Sequence, residues 1–222
     1  MTDKCIIKET RRSRVHGNNG PKRNQMVEFG TIANNVPQEV IDEIMHIAEH
    51  YQGDDLRGDN YQISQHCNVN EAFTASQTYK QILLQELKGD EDSVLDEIDE
   101  TNYVRWREDV KVDAIKKYLH DNFTQPYRAR ISVMHGGNEL NYHIDTDTSV
   151  LCRAQIAAKT EGSLFQWKTK KGEVELDMKP GEVYFVNTGW LHRVVNGSDN
   201  IRVVLIFGID YDNIPEKENL LL

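Results

Sequence analysis

The sequence predicts an α+β protein: a jelly-roll β-core in the second half, flanked by helices from the first. Two observations carry this. Eight short β-rich runs crowd into residues 127–209, separated by Gly, Pro, Asn and Asp. Ahead of them, the clearest apolar periodicity is helical. A chain of 222 residues is long enough for one domain with a full core.

Taken in order, residues 1–25 lack periodicity and read as a flexible basic arm. A short strand is expected over Met26–Ile32. Pro37 then opens a helix with Val40, Ile41, Ile44, Met45, Ile47 and Ala48 at helical spacing. Residues 52–70 are polar and read as loop. A second helix is expected over 76–88, stopped by Gly89. Seven carboxylates lie between Asp90 and Glu100; they lack the spacing and central glycine of a calcium loop and read as a solvated acidic face. A third helix is expected from about Asp109 to Asn122. The β-runs follow at 127–134, 140–145, 150–157, 163–168, 173–177, 182–187, 191–195 and 201–209. The expected organisation is therefore an arm (1–25), a mainly helical flanking region (26–125), a β-core carrying the chemistry (126–211) and a C-terminal tail (212–222).

Composition narrows the function. No apolar run approaches the roughly 20 residues of a membrane span, and the first residues lack the apolar stretch of a secretory signal. Cys5, Cys67 and Cys152 are odd in number and far apart, which argues against a disulfide framework and for a reducing cytoplasm. The net charge of −10 argues against a general nucleic-acid binder. That charge is uneven: residues 1–25 hold seven basic and two acidic side chains, so the remainder is more acidic than the whole.

The chemistry concentrates around His143-Ile144-Asp145. Residues i and i+2 of a strand face the same side, so an imidazole and a carboxylate can point together into a barrel. They form two-thirds of a facial triad, which leaves one metal face open for reaction. His192, forty-seven residues after Asp145, supplies a third ligand from a late strand. Arg202, ten residues further, opens the last strand. An arginine inside a barrel needs an anion, and its planar fork matches a carboxylate. A dicarboxylate such as 2-oxoglutarate, chelating the metal at one end and meeting Arg202 at the other, accounts for every part. Asp147 is the alternative carboxylate. Trp167 and Trp190 fit core or rim packing, and Cys152 fits a small core hydrophobe.

The order H-x-D, then His, then Arg resembles the Fe(II)- and 2-oxoglutarate-dependent oxygenases, whose core is a double-stranded β-helix of cupin-like type. Within them, SVMHGGNELNYHID, CRAQIAAKT, KPGEVYFVN, HRVVN and IRVVLIFGID are similar to the aspartyl/asparaginyl β-hydroxylase-like branch, over roughly residues 127–210. The resemblance implies that His143, Asp145 and His192 hold Fe(II). It implies that Ser132, Arg153 and Arg202 surround 2-oxoglutarate. It also implies that O₂ is consumed to hydroxylate a C–H bond, with release of succinate and CO₂. Where the branch carries Arg-x-His, this chain reads Arg153-Ala154-Gln155; Gln155 can donate a hydrogen bond but cannot carry charge. Asp145 makes the chain resemble the proline-hydroxylase type, with a small molecule or a peptide side chain as substrate. The alternative is a cupin-like metal-binding module or isomerase, which has no need of Arg202.

Overall fold

Two antiparallel sheets face each other across a shared interior. The computed structural model describes residues 20–52, 79–87 and 100–222. Twelve strands occur among them: β1 (Phe29–Ala33), β2 (Tyr79–Leu83), β3 (Gln85–Leu87), β4 (Tyr103–Trp106), β5 (Tyr127–Met134), β6 (Asn138–His143), β7 (Cys152–Lys159), β8 (Ser163–Thr169), β9 (Gly172–Leu176), β10 (Val183–Val186), β11 (His192–Asn196) and β12 (Arg202–Ile209). The larger sheet has the order β1-β10-β7-β12-β5-β2, and the smaller β6-β11-β8-β9. β3 and β4 form a separate ribbon. This is the jelly-roll architecture that the sequence predicts.

Alternation along the central strands sorts the side chains. Ala129, Ile131 and Val133 of β5, Ala154 and Ile156 of β7, and Val203, Leu205 and Phe207 of β12 face outward into one apolar layer. Helix α1 (Gln38–His50) covers that layer with Val40, Ile44, Ile47 and Ala48, a stripe at helical spacing. Helix α2 (Asp113–Phe123) adds Ile115, Leu119 and Phe123. Glu43 of α1 accepts a hydrogen bond from the Ile115 backbone N–H at 2.8 Å, filling one of the vacant donors at the start of α2. The opposite faces of the same strands turn inward. There Met134, Ala157, Val204 and Ile206 meet Phe165, Trp167 and Val194 of the smaller sheet.

The structure corrects several expectations. Of the helix expected over 76–88, the described residues 79–87 are strands instead: Tyr79–Leu83 is an edge strand in register with β5, and Gln85–Leu87 pairs with β4. Leu, Gln, Glu and Lys favour a helix there, but Ile82 and Leu84 alternate into the outer apolar layer, and that packing overrides local propensity. Among the described residues of 26–125, the two helices share the region with four strands, and β1 and β2 form both edges of the larger sheet. Residues 212–222 pack rather than trail: Val27 N–H donates to the Leu220 carbonyl at 2.9 Å, and Leu222 N–H to that of Gln25 at 3.0 Å. Gly30 is needed there, because a Cβ would sit 2.5 Å from a Leu220 methyl. Most of the arm, the 52–70 loop and nearly all the acidic segment lie outside the described residues.

Candidate metal centre

His143 ends β6 and His192 begins β11, and the two are direct partners in the ladder. Their ring centroids lie 4.3 Å apart. Asp145 lies just past β6, in a loop rather than in the strand that the sequence suggests; its N–H donates to the Thr188 carbonyl at 2.9 Å. That bond ties the carboxylate loop to the turn leading into His192. The ligand atoms of the three residues all lie within 4.8 Å of one another.

Hydrogen bonds fix both rings. His143 Nδ1 contacts the Asn141 carbonyl at 2.7 Å, and His192 Nδ1 the Trp190 carbonyl at 2.9 Å. A carbonyl can only accept, so Nδ1 carries the proton in both rings, and in the neutral imidazole Nε2 keeps its lone pair. Those Nε2 atoms lie 3.8 and 3.9 Å from the two oxygens of Asp145. Burial, aided by the neighbouring His143, pushes His192 down to about 4, so it is neutral at pH 7. Burial alone would raise the Asp145 carboxyl, but His143, His192 and Arg153 outweigh it and hold it below its ordinary value. Phe165 stacks on His192 with centroids 5.1 Å apart. Two imidazoles with second-atom hydrogen bonds and one carboxylate, converging from one side, suit a divalent first-row metal with open positions.

Asp147 is turned elsewhere. Its Oδ1 accepts from the Ser149 N–H at 3.0 Å and the Ser149 hydroxyl at 2.8 Å, and Oδ2 lies 3.8 Å from Arg23. Arg23 also donates to the Gly189 carbonyl at 2.8 Å and sits over Trp190. Trp167 is fully buried between the sheets, its indole N–H donating to the Asn187 carbonyl at 2.9 Å. Cys152 is buried in the core, and burial pushes its thiol up to about 12, as befits a packing residue.

The larger sheet places Ser132, Arg153, Gln155 and Arg202 on its inward face, beside Met134, Ala157 and Val204. Arg202 is buried, and donates to Gln155 Oε1 at 3.2 Å and to the Met178 sulfur at 3.9 Å. No carboxylate pairs with it among the described residues, and burial lowers it to about 10. Gln155 thus orients Arg202 through its amide oxygen. Arg153 holds Glu100 with two hydrogen bonds, at 2.5 and 3.0 Å.

Three charged residues of this face escape the motif reading. Glu100 belongs to the acidic run but its side chain is only 13% exposed, and it bonds Arg128 at 3.0 Å as well as Arg153. Arg128 and Arg130 precede Ser132 at a spacing of two, the one sequence signal that places them on the inward face.

The described residues thus form a jelly roll with two histidines and an aspartate gathered at one end of its smaller sheet. Residues 110–211 match the model of the aspartyl/asparaginyl beta-hydroxylase family, a little under half of the chain. The search of curated proteins finds no match. Among solved structures, the chain is similar to an oxidoreductase of the 2OG-Fe(II) oxygenase family from Burkholderia pseudomallei, with 13% identity over 63% of this chain and 69% of that one and a TM-score of 0.44. It is also similar to a Pseudomonas putida prolyl-4-hydroxylase, with 11% identity over 82% and 92% of the two chains and a TM-score of 0.43. No helix among the described residues is long and apolar enough to cross a membrane.

Proposed function

We propose that the chain is an Fe(II)- and 2-oxoglutarate-dependent dioxygenase that hydroxylates a C–H bond of a small molecule or an amino-acid side chain, yielding succinate and CO₂. One observation carries the reading. A three-residue metal cluster on the smaller sheet faces an inward, buried arginine, Arg202, which lacks a carboxylate partner among the described residues. A metal-chelating dicarboxylate supplies that partner. A cupin-like module that only binds metal has no use for a buried guanidinium, whose desolvation is costly without an anion.

In this reading His143, Asp145 and His192 hold the iron. Bound iron supplies the activation of O₂ and the oxidation of both substrates. Arg202, aimed by Gln155, takes the far carboxylate of 2-oxoglutarate, with Ser132 on the same face of β5. Phe165 and Trp167 keep water from the inner side of His192.

The test is reconstitution under anaerobic conditions with Fe(II) and 2-oxoglutarate, then exposure to O₂ with a metabolite and peptide screen for succinate. Substrate-dependent succinate is expected from the wild type. It should disappear in His143→Ala and His192→Ala, which should also lose bound metal. Full metal content in both variants overturns the assignment.

A further inference from the structure

We propose that Arg128, Arg130 and Arg153 form a second anion subsite, next to the metal cluster, that receives a carboxylate or phosphate group of the substrate, and that Glu100 fills it when no substrate is bound. The inference deepens the oxygenase reading and rests on it only for assigning the anion to the substrate.

The placement follows from register. Arg153 of β7 pairs with Val186 of β10, two residues before the Thr188 carbonyl that holds Asp145. The larger sheet therefore brings the Arg153 end of its inward face to the loop carrying the metal carboxylate. Arg130 lies on the same face, across β12 from β7, and Arg128, at the register irregularity just before it, reaches the same Glu100 carboxylate as Arg153.

The charge is unbalanced. Among the described residues, four buried arginines, Arg128, Arg130, Arg153 and Arg202, are accompanied at this site by two carboxylates, Glu100 and Asp145. A divalent metal and a doubly charged co-substrate cancel each other, so loading the enzyme leaves the excess in place. Buried charge without a counter-charge is expensive. The excess gathers at Arg130. Its Nη1 donates to the Arg128 carbonyl at 3.2 Å, yet its Nε is buried with no partner, and no salt bridge reaches it among the described residues. Burial, with the nearby charge of Arg153, pushes Arg130 down to about 9.

Backbone strain marks the same place. Arg128 has φ +47°, a conformation that L-residues seldom adopt. It puts the Arg128 guanidinium against Glu100 and over the Tyr103 ring, 5.0 Å from the centroid. Glu100 comes from the 3₁₀ turn Glu100–Asn102, which is not a strand of the sheet that carries the arginines. A substrate anion of similar geometry can replace it. Arg130, the arginine with a vacant donor, makes the added contact that favours the replacement.

The test needs neither iron nor turnover. Acetate and inorganic phosphate are titrated separately into the full chain at constant ionic strength, and binding is read by calorimetry and by thermal unfolding. Saturable binding of one of them is expected in the wild type and in Arg202→Ala. Arg130→Met should weaken it by about thirtyfold or more, the loss for truncating one partner of a buried charge pair. Glu100→Gln should tighten it, because the internal competitor is gone; should that variant fail to fold, the Arg130→Met comparison decides alone. The stronger of the two probes identifies the substrate group. Three results overturn the proposal: binding that survives Arg130→Met, binding lost in Arg202→Ala, or no saturable binding in any folded variant. Arg130-dependent binding without succinate formation in any screen would instead count against the oxygenase reading alone.

Discussion

Asp145 and Asp147 lie two residues apart and have different surroundings. Asp145 faces both imidazoles, whereas Asp147 closes a turn on Ser149. Asp145→Ala should therefore abolish metal-dependent turnover with little change in unfolding temperature, because the residue lies in a loop at the open end rather than in packed core. Asp147→Ala should lose some stability and keep measurable turnover. A protein inactive through Asp147→Ala but active through Asp145→Ala would exchange their roles. Glu100 gives a prediction of another kind. Burial raises its carboxyl, but Arg153, Arg128 and Arg130 outweigh that and hold it well below its ordinary 4.5. A carboxylate depressed in the folded state stabilises the fold above its unfolded value, and that contribution is lost as pH falls toward the folded value. Denaturant unfolding from pH 7 downward should thus show stability falling once pH drops below about 4.5. Glu100→Gln should flatten that decline; an unchanged slope would mean that Glu100 is not ion-paired in solution.

Helix α1 packs on the outward face of the larger sheet beside α2, with Ile44 and Ile47 fully buried. Ile44→Ala should cost about 2–5 kcal/mol by denaturant unfolding, the range for opening a cavity in a packed core. A cost below about 1 kcal/mol would show that α1 is not part of the cooperative core. This helix is also where the sequence is easiest to read, because one face contacts the core and the other meets water. The central strands are legible for a related reason: alternation and turn residues mark their ends to within about two residues. Legibility fails where a segment's partner is remote. Nothing local in TYKQILLQEL reveals that β5, forty-odd residues downstream, offers an open edge. Glu100 fails similarly, since its burial depends on three arginines that follow it in sequence, and only the fold brings them to it. Among the candidate site residues, the H-x-D spacing brings His143 to Asp145 almost by itself. His192 joins them because β11 pairs with β6, and its place across from His143 follows from the jelly-roll order of strands.

At the scale of the whole molecule, the proposed active site divides between the two sheets. His143 and His192 belong to the smaller sheet, Asp145 to the loop that follows β6, and Arg202, Gln155 and Ser132 to the larger sheet. A dicarboxylate held by metal at one end and by Arg202 at the other therefore ties one sheet to the other. Ligands that bind only the folded state raise apparent stability by mass action. Metal alone should raise the unfolding temperature of the wild type. 2-Oxoglutarate should add a further rise when metal is present and much less when it is absent, since half of its attachment is then missing. Arg202→Ala should keep the first rise and lose most of the second. Truncating one partner of a buried charge pair costs about 2–5 kcal/mol, equivalent to a loss of about 30-fold to several thousandfold in co-substrate affinity. Arg202→Lys should fall between, keeping the charge without the planar fork. Scanning fluorimetry on Mn(II)-loaded protein separates these cases without any turnover. Equal 2-oxoglutarate shifts in the wild type and Arg202→Ala would show that Arg202 does not anchor the co-substrate, and that the two sheets are not joined through it.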